Sequence, residues 1–456
     1  MNKIIEKLDK YSDEVIKKSI LGRFFTFLTT KIQPYFKANK PLLLMLLISI
    51  CTLFASLSLP QFANDRFGIG FIIIFCFCIF LLNIFSRNIT IINFNTLDLL
   101  ILAFILTAVI STFSSYFFKE SFLGLLKYIV LFTSYFVIKI TILNSSNKTF
   151  INLWCFLFLC TVITALIGLY QYIVGVEPLA TWEDPSYENI HTRVYSTLGN
   201  PNLLAGYLLL VLPVGIVIPF KLKANIFYKI VFLIGTLLIL ICLILTGSRG
   251  GYLGLIASLL FGLTIYLNYL FNQKSKLKVG SILFILFVLL AVFHLLLTYV
   301  FPVFAERIAT IFTLREHSSN SYRINVWLAC LKMLKDNWLI GIGPGNNAFR
   351  LAYGLYMISG FDALGAYNIF LEFAIECGFI GCLLFVLIFL TSFLKLHYIF
   401  WEKGGVLSLG IFISLIALLT HGMADTVFFR PQIFIPFWFL LASIGKLETS
   451  ENVRKG

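Results

Sequence analysis

The sequence predicts an all-α protein that crosses a membrane about twelve times. Its 456 residues are 59% hydrophobic and only 12% charged, a composition far outside the range of soluble domains. The apolar residues fall into about twelve stretches, each close to the ~20 residues that an α-helix needs to cross the hydrocarbon of a bilayer. A long polar segment separates the ninth stretch from the tenth. These observations together predict a polytopic membrane protein.

A basic N-terminal segment, residues 1–40, precedes the predicted spans. Its apolar residues recur at helical spacing, which predicts an amphipathic helix on the inner leaflet; they are Ile4, Ile5, Leu8, Tyr11, Val15 and Ile16. The first long apolar run begins at Pro41, too late for an ordinary secretory signal, so we expect no cleavage. The predicted spans are 41–60, 69–86, 97–116, 121–142, 150–175, 202–220, 226–246, 250–270, 279–301, 369–395, 405–424 and 431–446.

The basic residues set the predicted orientation. A net charge of +14 would suggest a nucleic acid partner in a soluble protein, but here the basic residues lie in short connectors, as the positive-inside rule expects. We therefore predict a membrane-bound partner and no nucleic acid, with both termini in the cytoplasm. The cytoplasmic connectors and tail then hold Arg87, Lys148, Lys221, Lys223, Lys274, Lys276, Lys278, Lys395, Lys403, Lys446, Arg454 and Lys455.

This topology divides the chain into five units. Spans 1–9 lie in 41–301, an extracytoplasmic loop covers 302–368, and spans 10–12 lie in 369–446. The basic segment 1–40 precedes them and a cytoplasmic tail, 447–456, follows. The outward segments with polar character are 176–201, 246–250, 302–368 and 425–431. Long ordered loops in compact proteins are usually functional, so we look for the site in these segments.

The long outward loop has helical and tight-turn signals of its own. Within 321–340, Ile324, Trp327, Leu328, Leu331 and Leu334 recur at helical spacing and predict an amphipathic helix. The close-spaced glycines and proline of Gly341–Asn346 predict a tight loop. This GIGPGN segment superficially resembles a phosphate-binding glycine motif, but no strand precedes it, so we exclude a dinucleotide site.

The cysteines do not predict a metal centre or a disulfide framework. Eight of the nine lie within apolar spans, and Cys330 stands alone in the outward loop. No metal-ligand spacing is visible, so we expect neither a metal nor another cofactor. Cys330 should face the outside.

Three arginines in the outward segments are candidate anion-binding residues. Arg193 lies just before Asn200 and Pro201, which mark a helix start, and a helix N-terminus attracts phosphate. Arg249 lies between two long apolar runs, where an arginine is costly unless it has a partner. Arg323 opens the amphipathic loop helix. The alternatives are an ordinary interfacial arginine, a snorkelling side chain and a surface charge, respectively.

A polar stripe marks the start of the tenth span. Asn368, Glu372 and Glu376 are spaced by four residues, so they share one face of a helix. That face should point into the protein, because exposure of carboxylates to lipid is costly. A purely structural pair, bonded to backbone or to an arginine, remains the alternative. For His421, Asp425 and Arg430, near the outer ends of the last two spans, we expect a capping and interface role.

These segments resemble the O-antigen ligase and polymerase family of bacterial membrane glycan enzymes. The resemblance lies in four motifs in fixed order over about residues 190–385. They are LGNPNLLAGYLL around Asn200, with Asn202; LTGSRGGYLGL around Arg249; RINVWLACLKMLKDNWLIGIGPGN from Arg323, with Gly343 and Gly345; and YNIFLEFAIECGFIG from Tyr367, with Asn368.

The resemblance implies a helical twelve-span fold related to C-type glycosyltransferases, in the bacterial inner membrane. Members of the family move a glycan from a polyprenyl diphosphate carrier to an acceptor hydroxyl at the outer face without a metal. Such chemistry needs cations to hold the diphosphate, and Arg193, Arg249 and Arg323 are the candidates. Asn200, Asn202, Gly343, Gly345 and Asn368 are expected to shape the site. The acceptor would be a glycan or a lipid, and the oligomeric state is not predicted.

This chain departs from the ligase pattern at Tyr367, where the ligases carry a histidine proposed to activate the acceptor. A phenol with a pKa near ~10 is a poor base at neutral pH. The catalytic candidates are therefore Tyr367 itself, Glu372 and Glu376, provided that burial raises the pKa of a carboxylate toward neutrality. His191 and His317 are further candidate bases in outward segments.

A branch of the same family described as bicarbonate transporters resembles the chain more closely at FDALGAYNIFLE. A transporter of a small anion is therefore the alternative function. Transporters commonly show broken helices near the midplane and an internal repeat, and the sequence shows neither clearly. A scaffold without activity would leave Arg249 and the carboxylate stripe unexplained, so an enzyme is the leading hypothesis.

Overall fold

The computed structural model describes residues 2–35, 39–60, 68–177, 179, 193–221, 225–274 and 318–452. These residues form helices, turns and connecting segments, with no strand among them. The helices are α1 (Asn2–Lys18), α2 (Ile20–Phe27), α3 (Lys40–Ser56), α4 (Gly68–Phe85), α5 (Thr96–Phe113), α6 (Phe118–Asn144), α7 (Asn147–Val174), α8 (Pro201–Lys221), α9 (Ile226–Leu245), α10 (Arg249–Lys274), α11 (Ser318–Asp336), α12 (Asn346–Tyr353), α13 (Ile369–Lys403), α14 (Val406–Gly422) and α15 (Pro431–Asn452).

The helices confirm the predicted all-α polytopic membrane protein. Eight of the described helices, α4 to α10 and α13, are long and apolar enough to cross a membrane. Two shorter apolar helices, α3 and α14, coincide with two further predicted spans, and α15 coincides with the last. The predicted ninth span, 279–301, lies outside the described residues. The loop helix predicted within 321–340 is α11, but its buried face differs from the predicted one. Leu328 and Leu331 are exposed, whereas the buried residues are Val326, Ala329, Cys330 and Met333.

Helix α8 forms the centre of the bundle. It packs against α9 and α14, and α10 packs against α14 from another side. It is the most buried of the eight spans, with 89% of its most apolar window inside the protein. A helix that is apolar all round suits this central place. A second group of contacts joins α6 to α15 and α5 to α13.

Asparagine and serine side chains fix where several spans begin. The side chains of Asn39, Ser146 and Asn225 accept hydrogen bonds from the first turns of α3, α7 and α9. Asn95 and Asp98 form a capping box at the start of α5. These caps satisfy amide groups that a helix leaves without partners, so the polar residues beside each apolar run define its boundary.

One end of the bundle collects the sequence motifs, and we call it the motif end. It consists of 113–118, 193–202, 245–250, 318–369 and 421–431. Hydrogen bonds join these segments: Asn202 to Asp425, and Asn368 to the carbonyl of Met423. Because the segments meet there, residues far apart in sequence can form one site.

Buried charged residues occupy the opposite end of the bundle. Two of them, Lys395 and Lys446, were predicted to lie in cytoplasmic connectors or in the tail. Lys395 was expected in a connector, but α13 continues to Lys403 and buries Lys395 against Asp9 at 2.5 Å and Glu448 at 2.8 Å. Lys446 is also buried, because α15 extends past it, and it donates to the carbonyl of Ser145 at 2.6 Å. A buried lysine needs such partners.

The N-terminal helix α1 is docked against this opposite end. Asp9 accepts hydrogen bonds from Thr96 in addition to its ion pair with Lys395. Ser12 and Ile16 are buried against the bundle. The predicted apolar face is therefore divided, since Ile4, Leu8, Tyr11 and Val15 remain exposed.

Candidate functional site

Arg193 ties the segment before α8 to the end of α9. Its Nε donates to the carbonyl of Thr246 at 2.9 Å, and its Nη2 donates to Oδ1 of Asn202 at 2.7 Å. The backbone supports the same contact, because Val194 N–H donates to the carbonyl of Leu245 at 3.3 Å. Thr246 lies three residues before Arg249, the first residue of α10. Two of the three predicted arginines are thus brought to the same helix ends.

Asp425 links the α8 segment to the loop helix α11. Its Oδ2 accepts from Nδ2 of Asn202 at 2.6 Å and lies 3.7 Å from Nη2 of Arg323. Its Oδ1 accepts from the backbone N–H of Thr426 at 2.8 Å. A continuous polar chain therefore runs from Arg193 through Asn202 and Asp425 to Arg323. The sequence prediction assigned Asp425 only a capping and interface role, and its place in this chain was missed.

Tyr367 lies beside Arg323 at the far end of the polar chain. The guanidinium carbon of Arg323 is 5.9 Å from the centre of the Tyr367 ring, and Tyr322 contacts that ring edge-on at 5.5 Å. Tyr367 has a φ of 49°, a left-handed conformation that is uncommon for a residue with a side chain. Burial, reinforced by Tyr322, raises the pKa of the Tyr367 phenol well above its usual value. The hydroxyl therefore keeps its proton at neutral pH.

Asn200 and Asn368 cap helices at the motif end. Oδ1 of Asn200 accepts from the N–H groups of Asn202 and Leu203 in the first turn of α8. Oδ1 of Asn368 accepts from the first turn of α13, and its Nδ2 donates to the carbonyl of Met423. Both asparagines thus fix the positions of neighbouring site residues.

The carboxylates of Glu372 and Glu376 point into the protein, on the stripe that starts at Asn368. Both are buried, with 0% and 1% of their surface exposed. Glu372 accepts from the backbone N–H of Ala366 at 3.0 Å. Glu376 accepts from the Tyr128 hydroxyl and from the backbone N–H of Gly345 at 3.0 Å. These contacts match the structural alternative for the stripe, a pair bonded to backbone groups.

The loop before α12 inserts into a break in α13. Gly378 has φ 72° and ψ −178°, which interrupts the helix and frees two carbonyls. The N–H groups of Ile342 and Gly343 donate to the carbonyls of Ile375 and Glu376 at 2.8 and 3.1 Å. On the other side, Phe379 N–H donates to the carbonyl of Trp338 at 2.7 Å. This broken helix was not expected from the sequence.

The glycines of this loop are needed for its close approach to α6. Gly343 and Gly345 have φ values of 98° and 110°. A Cβ at Gly343 would lie 2.2 Å from Oγ of Ser121, and one at Gly345 would lie 2.8 Å from Cα of Gly124. Only glycine combines this backbone conformation with so little space. The loop therefore clamps α6 and α13 together.

His421 lies between α8 and α10, fully buried. Gly206 of α8 and Gly250 of α10 face the imidazole, and a Cβ at either would contact it. Neither ring nitrogen has a hydrogen-bond partner among the residues that the structure describes. The expected capping and interface role for His421 does not account for this position.

The predicted residues thus form two groups. Arg193, Asn202, Arg323 and Tyr367 meet in or beside the polar chain, with Arg249 at the adjacent helix start. Glu376, Gly343 and Gly345 belong instead to the loop clamp, which is the segment 341–345 held between α6 and the break in α13. Glu372 bonds to Ala366 in the segment before α13. Two further candidate bases, His191 and His317, lie outside the described residues. The spacing of four between His421 and Asp425 was the available signal for the two residues that the prediction undervalued.

The chain was also compared with known proteins. A family model described as O-antigen ligase matches residues 234–386, about a third of the chain, from within α9 to within α13. The matched segment contains Arg249, Arg323, the loop clamp and Tyr367, and it excludes Arg193, His421 and Asp425. A search of curated proteins found no match. The resemblance predicted from the motifs is therefore confirmed over residues 234–386, where the chain matches the model of the O-antigen ligase family.

Proposed function

We propose that this protein transfers or polymerises a glycan from a polyprenyl-diphosphate-linked donor onto an acceptor hydroxyl. The motif end would face the outer side of the bacterial cytoplasmic membrane, as the positive-inside rule predicts for this chain. The O-antigen ligase domain supports a ligase- or polymerase-type function. The donor, the acceptor and the orientation are the parts that we add.

The observation that carries this proposal is that Arg193, Arg323 and the start of α10 at Arg249 lie together at the motif end. Arg193 is bound to Thr246, three residues before Arg249, and Asn202 connects it to Asp425 and Arg323. The first-turn N–H groups of α8 are taken up by Asn200, so the arginines are the groups that would bind the anion. Arginine favours phosphate oxygens, and a diphosphate would therefore be held by these side chains.

The proposed reaction asks three things of these residues. The arginines hold the diphosphate and stabilise the negative charge that grows on it as the anomeric carbon–oxygen bond breaks. The acceptor oxygen attacks that carbon, and a base takes its proton. The loop clamp and α11 position the acceptor side. The proposed scheme assigns no role to a metal.

The broken helix α13 does not favour transport over transfer. Broken helices in transporters leave carbonyls and N–H groups that bind the substrate. Here the carbonyls of Ile375 and Glu376 accept from Ile342 and Gly343 of the same chain. The break is thus filled by the loop clamp, and it offers no binding site for a small anion in this conformation.

The test combines one measurement in the native bacterium with one measurement on the purified protein. Deletion of the gene should cause a polyprenyl-linked saccharide to accumulate, and the protein in lipid vesicles should consume that saccharide when an acceptor is added. A change in bicarbonate uptake with no response of the lipid-linked pool would reject the enzyme in favour of the transporter.

A further inference from the structure

Transfer to a hydroxyl requires a group that takes the hydroxyl proton, and this inference rests on the proposed function. Among the residues that the structure describes, four titratable side chains close to the polar chain are compared as bases: Tyr367, Asp425, Glu372 and His421. A base must be within hydrogen-bond reach of the acceptor oxygen and must be able to accept a proton near neutral pH. The four residues differ sharply in these respects.

Three of the four are engaged in other tasks. Tyr367 keeps its proton because burial raises the pKa of its phenol. Asp425 uses one oxygen for Asn202 and Arg323 and the other for the N–H of Thr426. Glu372 is buried inside the start of α13, where its Oε2 accepts from the N–H of Ala366 and only its Oε1 has no hydrogen-bond partner among the described residues. Taking up a proton at Asp425 would remove the charge that Arg323 faces.

His421 differs because its polar atoms are not used by the described part of the protein. Both ring nitrogens are buried without a hydrogen-bond partner among the described residues. An unsatisfied buried nitrogen costs about 1–3 kcal/mol, so folding alone does not favour a histidine there. A ligand that supplies a hydroxyl would satisfy it.

His421 lies beside the start of α10, where Arg249 is the first residue. A Cβ at Gly250 would lie 3.5 Å from Nε2, so this nitrogen is adjacent to the first turn of α10, which begins at Arg249. A Cβ at Gly206 would lie 3.4 Å from Nδ1. Asp425 and Arg323 are the charged groups that act on the ring across the motif end. Glycine on two sides leaves the ring edge close to both helix backbones.

We propose that His421 is the general base of the transfer reaction. A nitrogen of the neutral imidazole takes the proton of the acceptor hydroxyl while the acceptor oxygen forms its bond to the anomeric carbon. The bond from that carbon to the diphosphate breaks, and its electron pair leaves with the diphosphate held by Arg193 and Arg249. The imidazolium then returns the proton to water.

The ring of His421 is fully buried in this structure, so the proposal requires the surrounding segments to move before the acceptor reaches it. The ion pair between Arg323 and Asp425 is a candidate for this movement, because its length of 3.7 Å exceeds that of a direct hydrogen bond and a bound diphosphate would compete with Asp425 for Arg323.

The experiment is chemical rescue of His421→Ala in vesicles with the lipid-linked saccharide as donor. Ala should lower kcat by about 100-fold or more, as expected for a lost general base, while donor binding persists. Added imidazole should restore part of kcat, because it fits the space that the side chain leaves. Pyrazole has the same shape but is far less basic, and it should not restore activity.

Ser414→Ala is the matched control. Ser414 lies on the same helix, is buried, and its hydroxyl has no hydrogen-bond partner among the described residues, so this variant should retain wild-type kcat. Undiminished transfer by His421→Ala, equal rescue by the two azoles, or no rescue while donor binding persists would overturn the assignment. If Arg193→Ala and Arg249→Ala also leave transfer intact, the proposed function itself has failed.

Discussion

Asn202 and Asp425 are 223 residues apart in sequence and are joined by a hydrogen bond of 2.6 Å at the motif end. The amide of Asn202 also accepts from Arg193, so one side chain connects an arginine to a carboxylate. Asp425 in turn faces Arg323. The two segments that carry Arg193 and Arg323 are therefore held relative to one another by Asn202 and Asp425, which need not touch a substrate.

Asp425→Ala should weaken donor binding. Loss of the carboxylate removes a hydrogen bond to Asn202 and the counter-charge of Arg323, each worth about 1.5–3 kcal/mol when a charged group is involved. We expect KM for the lipid-linked saccharide to rise by about tenfold or more.

Asp362→Ala is the control for this variant. Asp362 pairs with Arg350 at 3.3 Å within the outward loop, but both side chains are about 60% exposed. Removal of Asp362 should therefore change KM little. Equal KM values for the two variants would contradict a role of Asp425 in the site.

Arg193→Ala and Arg249→Ala should each lower transfer by about 100-fold or more, as removal of a donor to a developing negative charge commonly does. Lysine at either position should restore only part of the activity, because it keeps the charge and loses the planar fork. The measurement is initial transfer rate, with the amount of protein in the membrane as the control. Wild-type rates in both alanine variants would exclude a diphosphate site there.

The fold was largely predictable because hydropathy is local. Each of α3 to α10 and α13 to α15 follows from its own apolar run, and the caps at Asn95 and Asn368 follow from polar residues beside those runs. Arg249 was identifiable for a related reason, since an arginine next to hydrocarbon requires an explanation. Arg193 was selected for the helix start that follows it, and Arg323 for its place in the loop helix.

The contacts between distant segments were not predictable in the same way. The break at Gly378 exists because Ile342 and Gly343 bind the freed carbonyls, and no periodicity of α13 alone reveals that partner. Asp425 looked like a helix-end residue until Asn202 and Arg323 were placed beside it. Lys395 looked like a connector charge, although Asp9 and Glu448 allow its burial.

Gly343→Ala and Gly345→Ala should destabilise the protein. Each would place a Cβ within 2.8 Å of α6 atoms at a φ near +100°, and a strained backbone alone costs about 1–3 kcal/mol. We expect lower thermal stability in detergent and faster proteolysis of the loop.

Gly354→Ala provides the comparison for these variants. Gly354 has a φ of −56°, and the nearest atom to its Cβ position is 3.4 Å away. This substitution should leave stability nearly unchanged. If Gly354→Ala lowers thermal stability as much as Gly343→Ala does, the loss is a general effect of substitution in this loop and is not caused by the clamp.

Cys330 should resist a membrane-impermeant thiol reagent in intact cells, although it lies in the loop predicted to face outward. The side chain is fully buried, and burial raises the pKa of its thiol, which disfavours the reactive thiolate. Leu355→Cys should react, because Leu355 is 77% exposed in the same loop. A cysteine added after Gly456 should react only in opened cells. Labelling of the cysteine after Gly456 in sealed cells, without labelling at position 355, would show that the predicted orientation is inverted.

Tyr367→Phe should retain transfer within about a factor of three, the effect of one weak hydrogen bond. Phenylalanine keeps the ring that Tyr322 and Arg323 contact, and it removes only a hydroxyl that stays protonated at neutral pH. Glu376→Gln should be less well tolerated than Tyr367→Phe, because Glu376 accepts hydrogen bonds from both Tyr128 and Gly345. Its amide nitrogen would face one of these donors and disturb the clamp.

The measurement for both variants is the amount of lipid-linked saccharide that accumulates in cells carrying each variant. Accumulation with Tyr367→Phe and none with Glu376→Gln would assign the essential proton transfer to the phenol and reject the division of the site into a polar chain and a loop clamp.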